Sequence, residues 1–221
     1  MPRNLCGLLL VLLLGGCSSA PLPPGIARLP ERVELSAVPF FAQTAYQGAP
    51  GALAILLLQQ GVTTTPGLVA KALHLPEQEA QLQQRIPEVV RGHGLLVYPL
   101  SGGLSELLSQ VAAGFPVLVR YGQGGSWMGA PRYAVLVGYD RGEQTVLLRA
   151  GTSRRWVVDF DDFQAAWQAE GHWALLAQPP AQLPADVDPL RWRAAAADLE
   201  NAGQALAASN AYRAAAALPA P

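Results

Sequence analysis

The chain has 221 residues, with 15 Lys and Arg against 16 Asp and Glu, for a formal net charge of −1. That balance, with no basic run, argues against nucleic-acid binding. The hydrophobic fraction of 51% provides ample apolar sequence for a core. His74, His93 and His172 show no paired ligand spacing, so neither a metal site nor a cofactor is expected. After the first residues no stretch approaches the roughly 18 apolar residues that a membrane span requires.

The chain begins with a short positive segment at Arg3, followed by the apolar run Leu8–Leu14. This run is too short to cross a bilayer of roughly 30 Å, and the small residues Gly15 and Gly16 follow it. That is the pattern of a secretory signal over residues 1–16. The ending Leu14-Gly15-Gly16-Cys17 resembles the lipobox cut by bacterial lipoprotein signal peptidases. The resemblance implies acyl chains on Cys17, and more than one chain makes anchoring stable. Ser18 in place of Asp implies sorting to the outer membrane of a Gram-negative envelope, on its periplasmic side. The only cysteines are Cys6, lost with the signal, and Cys17, consumed by lipid. The processed chain is therefore expected to lack a disulfide, a thiolate metal site and a thiol nucleophile. Residues 17–35 are rich in Ser, Ala and Pro and read as a tether.

A compact unit is predicted over 36–179. Apolar periodicity places helices at about Pro50–Gln60, Pro66–Leu73 and Gln78–His93. Another covers Leu104–Ala113, with Leu104, Leu107, Leu108 and Val111 on one face. Strands are predicted at Pro116–Tyr121, Tyr133–Tyr139, Thr145–Arg149 and Arg154–Phe160. A short helix Asp161–Gln168 and a closing strand His172–Ala177 complete it. Helices first and strands after predict an α+β fold. Trp156, Trp167 and Trp173 read as core residues. Trp127 lies in the Gly-rich loop Gly122–Gly129 and is the candidate binding aromatic.

Two stretches carry a family resemblance. Val38-Pro39-Phe40-Phe41-Ala42-Gln43, then Thr44–Gln47, then Gly48-Ala49-Pro50-Gly51-Ala52-Leu53-Ala54, resembles the opening of C39-like cysteine peptidase domains. There the pattern is V-P-F-x-x-Q, four residues, then C-G-P-A-A-L-A. Arg132-Tyr133-Ala134-Val135-Leu136-Val137-Gly138-Tyr139-Asp140 resembles the family's H-Y-A-V-V-V-G-Y-D. The likeness covers about residues 36–178 and implies a papain-like fold, with N-terminal helices packed on an antiparallel sheet.

The departures from that pattern fall on the chemistry. Gly48 stands where the family has its nucleophilic Cys, and Arg132 where it has its general-base His. Gln43 keeps the oxyanion-type position. The third partner is expected near Arg149-Ala150-Gly151, where no Asp or Asn occurs. A thiol peptidase needs a thiolate and an imidazole that takes and returns its proton. Glycine has no side chain to attack with, and Arg stays protonated at neutral pH. The resemblance thus implies a peptidase fold without the family mechanism. Gln43, Gly48, Trp127 and Arg132 become binding candidates: the helix start at Gly48, the Arg132 charge and the Gln43 amide suit a small anion such as a peptide carboxylate. In the alternative arrangement Arg132 fills the vacated space and pairs with Asp140 or Asp162. Ser126, Thr44 and Ser153 are the hydroxyls available to a relocated hydrolase site, and none has a neighbouring His in sequence.

Pro179–Pro184 begins a linker over 180–188, and 189–221 reads as an Ala-rich helical hairpin broken near Gly203. Trp192, Ala196, Leu199, Gly203, Ala208, Tyr212 and Ala215 resemble one tetratricopeptide repeat. A single repeat cannot bury its own face, so it packs on the preceding domain or on a partner. The functional expectation is an inactive C39-like lipoprotein that binds a protein or peptide in the envelope. The alternative is a hydrolase with a relocated site.

Overall fold

The computed structural model describes residues 22–42, 48–122, 132–216 and 218. Cys17, Gln43, Thr44, Ser126 and Trp127 lie outside the described residues.

A seven-stranded antiparallel sheet organises the chain. Its strands are β1 (Arg32–Glu34), β2 (Leu96–Pro99), β3 (Val117–Tyr121), β4 (Arg132–Asp140), β5 (Thr145–Ala150), β6 (Ser153–Asp159) and β7 (Ala174–Gln178). The order is β2-β7-β3-β4-β5-β6, and β1 also pairs with β4. The α+β class follows directly. Strand β4 shows how the sequence makes two faces: Ala134 and Leu136 enter one apolar cluster, while Tyr133, Val135 and Val137 enter the other. That is the two-residue alternation of a strand buried on both sides.

Helix α2 (Gly48–Gln59) fills the second cluster, with α3 (Pro66–Ala72) and α4 (Leu82–Gly92) outside it. Ala52 to Leu57 of α2 are fully buried, so this helix is apolar on every side rather than amphipathic. Thr65 starts α3 by accepting the Leu68 N–H at 3.3 Å. On the other face lie α5 (Leu104–Ala112) and α6 (Phe160–Gln168), with the four-residue α1 (Pro24–Ala27) and the C-terminal pair α7 (Pro189–Asn201) and α8 (Ala205–Ala215). Among the described residues no helix is long and apolar enough to cross a membrane.

Several expectations change. The expected tether over 17–35 does not extend through its second half. Val33 of β1 sits opposite Tyr139, Ile26 is buried, and Arg141 donates to the Pro30 and Ala27 carbonyls at 3.1 and 3.0 Å. Gly138 makes that pairing possible, because a Cβ there would lie 2.5 Å from the Val33 carbonyl oxygen. The helix expected over 78–93 is a 3₁₀ turn, Glu79–Gln81, followed by α4. Strand β2 was not predicted. Its four residues end in Pro99, and a run that short has no readable period. Trp167 is buried as expected, but Trp156 is 37% exposed because β6 is an edge strand.

The C-terminal hairpin packs on its own domain. Trp192 is fully buried, lies 6.2 Å from the Tyr98 ring and donates its indole N–H to the Ala211 carbonyl at 2.9 Å. Asp198 pairs with Arg91 of α4 at 2.6 Å, and Arg191 with Glu106 of α5 at 2.5 Å. Ala196, Leu199, Ala208, Ala211 and Ala215 are buried, while Tyr212 is 38% exposed. Residues 180–188 are tied down as well: the Gln110 amide bonds both the N–H and the carbonyl of Ala185, and Asp188 donates its N–H to the Tyr98 hydroxyl.

Candidate functional site

Gly48 is the first residue of α2, and Arg132 is the first residue of β4. A Cβ built on Gly48 would lie 3.8 Å from the Tyr133 backbone nitrogen, an ordinary van der Waals distance. The fold therefore brings the helix start and the strand start together, and Gly48 and Arg132 are neighbours across that junction. A thiol-bearing side chain at 48 meets no steric obstacle from its Cβ. The helix start also presents the partial positive charge of its aligned peptide dipoles.

Arg132 sits opposite Tyr121 of β3. Burial pushes the Tyr121 phenol above its usual pKa, and the Arg132 charge opposes that rise. Of the two carboxylates expected as partners of Arg132, Asp140 and Asp162, the first is out of reach. Arg132 and Asp140 occupy opposite ends of nine-residue β4, about 26 Å apart at strand rise. Asp140 instead faces Arg32 at 3.4 Å and accepts the Glu143 N–H.

Next to this junction lies a groove of about 700 Å³, lined by residues 76–77 and 79–84 on one side and by Arg120 and Tyr133 on the other. Arg120 pairs with Glu170 at 2.8 Å, both side chains being largely buried. Tyr133 packs edge-on against Trp173 at 5.6 Å. Desolvation is the main cause that pushes its phenol up to about 12, with Arg120 opposing it and Glu170 adding to it.

Arg149 is the residue that sequence reasoning missed. It is 2% exposed, on β5, in the region where the family's third partner was expected. Its guanidinium donates to the Pro39 carbonyl at 2.7 Å and to the Leu35 and Ser36 carbonyls at 3.2 and 3.3 Å. It thereby clamps the segment leading into 43–47. Burial lowers its pKa, as does Arg154, while Glu34 opposes the change. The available signal was a cation directly after the apolar run Val146-Leu147-Leu148, on the same strand.

The histidines are placed elsewhere. The His74 ring contacts Arg85 at 2.6 Å, and His172 stacks edge-on against Trp167 at 4.7 Å. His93 is exposed at the end of α4. Ser153 opens β6, opposite Ala150.

No family model and no curated protein matches the sequence. The fold is similar to that of a protein assigned as a C39-like peptidase from Bacillus anthracis, at 19% identity and a TM-score of 0.53. That alignment covers 67% of this chain and 98% of the other. The peptidase domain of Streptococcus ComA, a bi-functional ABC transporter involved in a quorum sensing pathway, aligns at 14% identity and a TM-score of 0.49. Its alignment covers 63% of this chain and 96% of that domain. The first likeness shows the architecture: an α+β fold of the C39-like peptidase type.

Proposed function

We propose that this chain is a catalytically inactive C39-like peptidase-fold protein that binds a protein or peptide partner at the bacterial cell envelope, anchored through lipid on Cys17. One observation carries the reading. At the junction of α2 and β4, Gly48 lies beside Tyr133, with Arg132 next in sequence. Neither substituted residue can attack a carbonyl or accept a proton at neutral pH. In the region where a third partner is expected, Arg149 is buried and engaged with backbone carbonyls. Glu77 and Glu79 line the groove beside the ion-paired Arg120, so a segment bearing a carboxylate is favoured only by the Arg132 charge and the helix start at Gly48, at the junction next to it. Gln43 and Trp127 complete the set of residues to test.

Incubation with a diverse peptide mixture, read by mass spectrometry, tests the first half. The native chain is expected to leave all peptides intact, and the Gly48→Cys, Arg132→His double variant to gain an alkylatable thiol and slow cleavage. Hydrolysis by the native chain would mean a relocated active site and would overturn the reading. Titration of acidic-tailed peptides into native protein and Arg132→Ala tests the second half. Binding that the variant does not weaken would remove Arg132 from the site.

A further inference from the structure

We propose that this protein forms a symmetric homodimer by antiparallel pairing of β6 with β6 of a second copy, in a register centred on Val157. Strand β6 ends one edge of the sheet. It pairs with β5 on one side, and among the described residues nothing pairs with its other side. Arg154, Arg155, Trp156 and Val157 are all exposed, Val157 at 55%. A strand edge with exposed apolar residues and unpaired backbone groups is a template for another strand.

The hydrogen-bond phase of the edge can be worked out. Phe160 donates its N–H to the Gln144 carbonyl at 2.8 Å, which continues the β5–β6 register as a bonded pair. Bonded and non-bonded pairs alternate along an antiparallel ladder. Over Trp156–Asp159, which lie clear of the register shift between Leu148 and Ala150, Val158 and Trp156 therefore bond inward to β5, and the Val157 N–H and carbonyl and the Asp159 N–H point outward. A two-fold axis normal to the sheet keeps each face continuous, so residues of like parity oppose one another. Centring on Val157 lets the two Val157 residues exchange both backbone bonds. It also sets Trp156 opposite Val158 of the second copy, and Arg155 opposite Asp159 of the second copy.

Charge selects this register over those centred on Arg155, which would oppose two cations, and on Trp156, which would leave Arg155 opposite Val157 and Asp159 opposite Ser153 with no charged partner. Arg155, Val157 and Asp159 share one face. Arg155 already bonds Glu34 through two of its donors, at 3.0 and 2.8 Å, which holds its guanidinium on that face with donors to spare. Asp159 occupies the N-cap of α6 yet makes no capping bond. Its carboxylate is thus placed where a cation from a second copy would meet it. On the other face Trp156 rests on Tyr121 at 5.5 Å, so its ring is held in place before pairing. The contact is small beside a standard interface of roughly 1,600 Å², so dissociation in roughly the micromolar range is expected.

The test uses the full chain in lipid vesicles with Val157→Cys and a short bis-maleimide. Dimer cross-linking well above that of the chain carrying only Cys6 and Cys17 is expected. Adding Asp159→Arg to the reporter should abolish most of it, and mixing that chain with one carrying Val157→Cys and Arg155→Glu should restore it. Val157→Pro removes only an outward N–H, so it should leave folding intact by circular dichroism and give a monomer by light scattering in detergent. Cross-linking no greater than background, or indifferent to Asp159→Arg, or a Val157→Pro chain that stays dimeric, each overturns the proposal.

Discussion

Truncating Trp192 to alanine measures whether the C-terminal hairpin belongs to the cooperative unit. The side chain is fully buried between α7, α8 and Tyr98, and its N–H serves the Ala211 carbonyl. Removing a buried Trp costs about 3–5 kcal/mol in transfer and cavity terms. The lost hydrogen bond adds about 1 kcal/mol. At about 2–4 °C per kcal/mol for a domain of this size, the thermal midpoint should fall by about 8–24 °C. Trp192→Phe keeps a ring against Tyr98 and loses the N–H, and should cost about 1–2 kcal/mol. Differential scanning calorimetry reads both. A single transition that moves as stated places the hairpin in the same unit as the sheet. A Trp192→Ala midpoint within about 3 °C of the native value would refute the reasoning, because α7 would then be a loosely attached appendage.

Tyr133, with its phenol pushed up to about 12 from an ordinary 10.0, favours the neutral form in the folded state. Its contribution to stability is complete below pH 10 and is lost as pH rises toward 12, at up to about 1.4 kcal/mol per pH unit. Urea midpoints across that window should show a shallower alkaline decline for Tyr133→Phe than for the native chain. Tyr98, Tyr121 and Tyr139 are raised in the same direction and will keep part of the slope. Arg149→Met should cost about 2–4 kcal/mol, through loss of three hydrogen bonds from a charged donor, and should speed amide exchange over residues 35–39. Exchange confined to β5 would argue against the clamp. Cys17→Ser should move the chain from the membrane fraction to the soluble periplasmic fraction. Retention at the membrane would require another anchor.

The sequence showed the long periodic elements because each buries a face that repeats along the chain. Helix α5, with Leu104, Leu107, Leu108 and Val111, is found within one residue of its expected span. Strands β3 to β6 likewise follow from alternation and Gly-containing turns. What escaped was short or long-range. Residues 24–34 look like a Pro-rich tether because what orders them, Arg141 and the Gly138 approach, lies more than a hundred residues away. Gly48 and Arg132 stood out from two stretches that resemble a family pattern. Their adjacency needed the fold, since 84 positions separate them. Arg149 was hidden for a different reason. Its acceptors are main-chain carbonyls, and no residue type announces a carbonyl.

The two borders of the sheet are built unequally. At β2, Pro99 cannot donate, Arg191 reaches its carbonyl at 3.2 Å, and the Trp192 ring of α7 lies against Tyr98. At β6 nothing comparable is found among the described residues. A sheet sealed on one border and open on the other can be extended once but not indefinitely. Any addition at β6 brings a second sealed border with it, so the assembly closes at two chains. The C-terminal hairpin therefore has a consequence beyond stability: it would guard against open-ended polymerisation through β6, whose outer side has no partner among the described residues.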